Sequence, residues 1–89
     1  MPTVTFTSAL RRFLPVPIAE VEGGTVAEAL AQVFADHGRL RGYVLDDQGA
    51  LRRHVAIYVN GEVVRDRSRL SDKVAPQDEI FVAQALTGG

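Results

Sequence analysis

The chain has 89 residues, enough for one domain with a single modest core. Hydrophobic residues make up 46% and charged residues 24%, the balance of a folded globular protein, and a formal net charge of -1 supplies no global field to recruit nucleic acid or an anionic membrane. The absence of cysteine excludes disulfides, thiolate metal sites, iron–sulfur clusters and thiol nucleophiles at once.

The start of the chain lacks the charged and continuous apolar regions of a signal peptide, and no apolar run approaches a membrane span. A cytoplasmic location is the expectation. The basic residues are arginines apart from Lys73. Arginine's planar fork matches a carboxylate bidentately, so exposed arginines are either a partner surface or simple solvated surface.

Thr3-Val4-Thr5-Phe6-Thr7 alternates polar and apolar residues and predicts a half-buried strand with Val4 and Phe6 facing inward. Ala9 to Pro17, with Pro15 and Pro17, reads as a turn region. Ile18 to Glu22 alternates again and should return antiparallel to the first strand, closed by Gly23-Gly24. Thr25-Val26-Ala27-Glu28 fits a capping box, in which a hydroxyl and a glutamate three residues later satisfy free amides of the first helical turn. Behind it Val26, Ala29, Leu30, Val33 and Phe34 form one apolar helical stripe, and Gly38 stands where a glycine would end the helix. His37 near that end reads as a partner of the helix dipole rather than as a catalyst, since no nucleophile or carboxylate can be placed beside it.

Arg39 to Arg53 has no clean period and predicts a short helical turn followed by a loop. Its Asp46-Asp47 pair lacks the further carboxylates that calcium requires and reads as a solvated turn. His54 to Val59 is the strongest predicted strand; Asn60-Gly61 is a type I′ hairpin signal, and Glu62-Val63-Val64 the short return. Leu70 to Val74 is a turn or a single helical coil with two apolar anchors. Pro76 to Glu79 then turns the chain into a last strand, Ile80 to Ala83.

Strands bracketing one main helix should form a single mixed α+β sheet of four to five strands with that helix packed on one face. First and last strands, if adjacent, would be parallel and central. Val55, Ile57, Val59, Ile80 and Val82 would then point to the helix. Ala56, Tyr58, Phe81 and Ala83 would face away, either as an open partner-docking patch or beneath the Arg39–Arg53 segment. The end of the chain, residues 84–89, is expected to be a flexible tail on a single domain spanning 1–89. Gly88-Gly89 lack Cβ atoms and suit a narrow slot in which an enzyme reaches a terminal carboxylate.

The sequence shows no chemistry of its own. There is no phosphate loop after a strand, no histidine spacing for a metal, and no context that would activate a serine. The distinctive group is the carboxylate of Gly89, which becomes an electrophile only after activation, for example as an acyl-adenylate.

Three segments carry a family resemblance: Ala85-Leu86-Thr87-Gly88-Gly89, Ile57-Tyr58-Val59-Asn60-Gly61-Glu62, and Leu70 to Ile80 with Asp78-Glu79. Over its full length the chain resembles the ubiquitin-like β-grasp sulfur carriers of the MoaD/ThiS family. The resemblance implies a β-grasp fold and a carrier rather than an enzyme. It implies adenylation of Gly89 by an E1-like enzyme that uses ATP, with no tightly bound cofactor or metal on the carrier. Sulfur from a donor or sulfurtransferase would then give a thiocarboxylate for a client synthase. Gly88, Thr87 and Leu86 would thread with Gly89 into those partners.

The long Arg39–Arg53 segment and the run Arg53 to Asn60 look most like the carrier that serves a cysteine synthase. The small subunit that works with a molybdopterin synthase large subunit is the runner-up. A modifier conjugated to proteins through Gly89 is the third reading.

Overall fold

The computed structural model describes residues 1–7 and 18–84. In chain order they form β1 (Thr3–Phe6), β2 (Ile18–Glu20), α1 (Val26–Asp36), α2 (Gly38–Val44), β3 (Val55–Val59), β4 (Glu62–Val63) and β5 (Glu79–Gln84). The five strands make one sheet in the order β2-β1-β5-β3-β4. β1 runs parallel to β5, and every other pairing is antiparallel. The first and last strands are neighbours, and they are parallel and central, as such an adjacency implies. The Ala9–Pro17 turn lies outside the described residues.

The alternation in each strand places its apolar residues on the face that α1 covers. Val4, Phe6, Val55, Ile57, Ile80 and Val82 are buried there, and the α1 stripe of Val26, Ala29, Leu30, Val33 and Phe34 is buried against them. Val59 is only partly buried at the rim of this core, because β3 is giving way to its hairpin. Each fully buried aliphatic or aromatic side chain here contributes about 1.5–3 kcal/mol relative to exposure, so this layer is what holds the sheet to the helix.

Local chemistry fixes where α1 begins. The Thr25 hydroxyl accepts the Glu28 N–H at 3.2 Å, and the Glu28 carboxylate accepts the Gly24 N–H at 2.7 Å. The box therefore closes on the residue before the cap rather than on Thr25 itself. Two further free amides of the first turn reach across the fold, Val26 N–H to the Asp72 carbonyl and Ala27 N–H to the Leu70 carbonyl, at 3.0 and 2.9 Å. Leu70 adopts a left-handed backbone (φ 55°) while its side chain stays buried, so the chain turns there with a carbonyl aimed at the helix and an anchor in the core. Gly23 is needed for a close approach, since a Cβ at that position would stand 2.8 Å from the Ala29 nitrogen.

Two expectations are corrected after α1. Gly38 does not stop the helix by a left-handed turn; the chain bends at His37 (φ -136°, ψ 68°), and Gly38 is the first residue of α2. The Arg39–Arg53 segment is accordingly more ordered than a short turn and loop. α2 carries Leu40 and Val44 into the core, and an isolated bridge between Leu45 and Leu51 adds both of those side chains. With only these four anchors spread over twelve residues, the segment shows no full helical or strand period, which hides it from pattern reading. The Asp46 turn is as expected: its Oδ1 accepts the N–H groups of Gln48 and Ala50 at 2.9 and 3.0 Å.

The hairpin follows its turn residues. Asn60 (φ 51°) and Gly61 (φ 86°) both take positive φ, the type I′ geometry whose twist matches the flanking strands. Asn60 also reaches sideways. Its side-chain oxygen accepts the Glu79 N–H at 2.9 Å, and its amide donates to Asp78 Oδ1 at 2.8 Å. The hairpin tip is thereby clamped to the start of β5.

Candidate functional site

The face of the sheet opposite α1 carries the other half of each alternation. Tyr58 pairs with Phe81 and Ala56 with Ala83 in the β3–β5 ladder, so the four residues expected as a docking patch are direct cross-strand neighbours. Phe81 is 38% exposed, and Ala56, Tyr58 and Ala83 are half-buried. The Arg39–Arg53 segment does not cover them, since its apolar anchors join the core on the other side.

The patch is wider than its sequence signal. Tyr58 also pairs with Val63 on β4, which is 55% exposed, and Phe81 pairs with Thr5 on β1. A row Val63–Tyr58–Phe81–Thr5 therefore crosses four strands. Val63 could have been found from the two-residue Asn60-Gly61 turn, which alone sets the register that puts it opposite Tyr58.

The open face is polarised along the strands. Where β5 starts, Thr3 pairs with both Glu79 and Glu20, and both glutamates are exposed. Where β5 finishes, Arg53, His54 and Arg67 gather beside Ala56, Tyr58 and Ala83 around a shallow concavity of about 320 Å³. Arg67 is fixed there, its Nη2 donating to the carbonyls of Arg52 and Val55, each at 2.8 Å. Sequence reasoning gave Arg67 no role, because nothing local to residue 67 signals a contact with β3.

β5 runs to Gln84, one residue beyond its expected end, so the tail predicted from residue 84 begins no earlier than Ala85. Gln84 pairs with Val55, its N–H is 3.4 Å from the Thr7 hydroxyl that accepts it, and Thr7 N–H donates to the Val82 carbonyl at 3.0 Å. The end of the central strand is thus held on both sides. Leu86, Thr87, Gly88 and Gly89 lie outside the described residues. Among the described residues no three histidine, aspartate or glutamate side chains converge in a way that would hold a metal ion, and no helix is long and apolar enough to cross a membrane.

A five-stranded mixed sheet with a parallel central pair, one main helix across one face and the other face open defines a ubiquitin-like β-grasp protein. The ThiS family model matches residues 4–89, and the chain belongs to that family. Solved structures agree. The chain is 28% identical to a protein in the Amycolatopsis orientalis BexX/CysO complex, with all of both chains covered and a TM-score of 0.87. Similarity to Mycobacterium tuberculosis CysO is 26% identity over 97% of this chain and 100% of that one, with a TM-score of 0.84. Haloferax volcanii SAMP1 is 25% identical over 99% and 98%, with a TM-score of 0.80. No curated protein sequence is matched.

Proposed function

We propose that this chain is a sulfur carrier whose working group is the Gly89 carboxylate. The observation that supports it best is the family match running through both terminal glycines, on a fold whose central strand ends at Gln84, five residues before the last of them. The five residues after Gln84 reach at most about 18 Å when extended, so a partner docked on the open face can hold its reactive centre well beyond the sheet.

The chemistry belongs to the partners. An E1-like enzyme lets the carboxylate attack the α-phosphorus of ATP, forming the acyl-adenylate and releasing pyrophosphate. Sulfide from a donor or sulfurtransferase then attacks the carbonyl carbon, AMP leaves, and the thiocarboxylate forms. Carrying sulfur on the terminus suits a chain that has no cysteine to hold it. A cysteine synthase-like enzyme is the favoured client, supported by the likeness to two proteins named CysO and by the long segment that here forms α2 and the Leu45–Leu51 bridge. A modifier role through Gly89 is the second reading, and the likeness to SAMP1 favours it.

The test is reconstitution with the adenylating enzyme of the native host. The full-length chain should support ATP–pyrophosphate exchange, and deletion of Gly89 should abolish it. Exchange that continues without Gly89 would overturn the proposal.

A further inference from the structure

Basic side chains gather at the end of the sheet where β5 finishes. Arg52, Arg53, His54 and Arg67 line an open concavity of about 540 Å³ with Leu51 and Asp46. It adjoins the smaller hollow that Arg53, His54 and Arg67 share with Ala56, Tyr58 and Ala83, so the basic cluster is continuous with the apolar row.

Five carboxylates of the chain, Asp46 of the concavity itself among them, are engaged with nearby amides and hydroxyls. Asp46 binds its own loop through Gln48 and Ala50, Asp66 accepts from Ser68, Arg69 and Ser71, and Asp72 accepts the N–H groups of Arg65 and Asp66. Glu28 and Asp78 are likewise turned to backbone amides. Two of the three guanidinium groups at the concavity bond to carbonyls: Arg52 Nε to Gly42, and Arg67 to Arg52 and Val55. Among the described residues no carboxylate makes an ion pair with Arg52, Arg53 or Arg67. Three guanidiniums, two of them held by carbonyls, against the one carboxylate of Asp46 give the concavity a local positive excess in a chain of net charge -1, a field with a clear complement.

We infer that this concavity docks an acidic segment of a partner protein, its carboxylates meeting Arg52, Arg53 and Arg67 while apolar partner residues rest on Tyr58 and Phe81. The opposite polarity at Glu79 and Glu20 makes the reversed orientation repulsive, so charge fixes which way the partner lies along the strands. As Val55 of the same ladder pairs with Gln84, the acidic segment sits at the point where the chain leaves the sheet toward Gly89. In that respect the inference rests on the carrier reading, but the docking itself does not need an activated terminus.

The experiment titrates the ¹⁵N-labelled full chain with a polyglutamate peptide at low salt. Saturable shifts should centre on the amides of Arg53, His54, Ala56 and Gln84. Arg53→Glu, at an exposed position, should weaken binding by about tenfold or more, whereas Arg39→Glu on α2 should leave it unchanged. A polyglutamine peptide should produce no shifts. Shifts spread evenly over all the arginines, an equal effect of the two substitutions, or tripolyphosphate binding as tightly as the peptide would each overturn the inference. Adenylation of the unsubstituted chain is assayed in parallel: its failure removes the carrier reading and leaves the peptide result standing.

Discussion

The two faces of the same three strands differ in almost every respect. On one, Val55, Ile57, Ile80, Val82, Val4 and Phe6 are sealed beneath α1. On the other, Ala56, Tyr58, Phe81, Ala83 and Thr5 stand open, bounded by arginines at one end and glutamates at the other. Since neighbouring residues of a strand point to opposite faces, a single alternation buries one set and leaves the other open. A small protein with one main helix cannot cover both faces of a five-stranded sheet.

The comparison breaks most readily at Ile57. Ile57→Ala deletes fully buried volume between sheet and helix and should destabilise the fold by about 2–5 kcal/mol in urea denaturation. A loss below about 1 kcal/mol would mean that the helix side is not the core described. Next comes the helix start. Thr25→Ala removes the hydroxyl that accepts the Glu28 N–H and should cost about 1 kcal/mol, read as a lower denaturation midpoint with an unchanged slope.

The open face should respond the other way. Phe81→Ala forfeits a cross-strand pair with Tyr58 worth about 0.2–1 kcal/mol, while the fold and its cooperativity persist. Its larger effect should be on partner affinity, measured by calorimetry with the adenylating enzyme. Loss of stability matching Ile57→Ala would erase the distinction between the faces.

The smallest effect expected is at the hairpin clamp. The Asp78 carboxyl is held below its ordinary value of 3.8, first by the Ala75 N–H and then by the Asn60 amide. A lowered native pKa adds stability that is complete well above 3.8 and fades as pH falls through that value toward the native one. Asp78→Asn should therefore be less stable than the unsubstituted chain at neutral pH, the gap closing in acid. Asp66, held low by the Ser71 hydroxyl and the Arg69 N–H, softens both proteins over the same range. A gap that widens on acidification would contradict the sign.

Much of this was legible in the residues. The α1 stripe, the inward valines and isoleucines, the Asn60-Gly61 turn and the Tyr58/Phe81 patch follow from period and turn chemistry, which act over a few residues. What was hidden depends on distant partners. α2 is a seven-residue helix defined by two core anchors, Leu40 and Val44, and not by a repeating stripe. The left-handed Leu70 exists to present a carbonyl to a helix more than forty residues earlier in the chain. Arg67 belongs to the tail end of the sheet only because its guanidinium spans the Arg52 and Val55 carbonyls. The Asn60–Asp78 clamp likewise joins residues that no local pattern relates.

The central claim is that the end of this chain carries sulfur. Intact-mass analysis of the protein purified from its native host under sulfur-replete conditions tests it most directly. The account predicts a fraction in which one oxygen is replaced by sulfur, with fragmentation placing the change at Gly89. A single unmodified mass, obtained with the activating enzyme present, would contradict it.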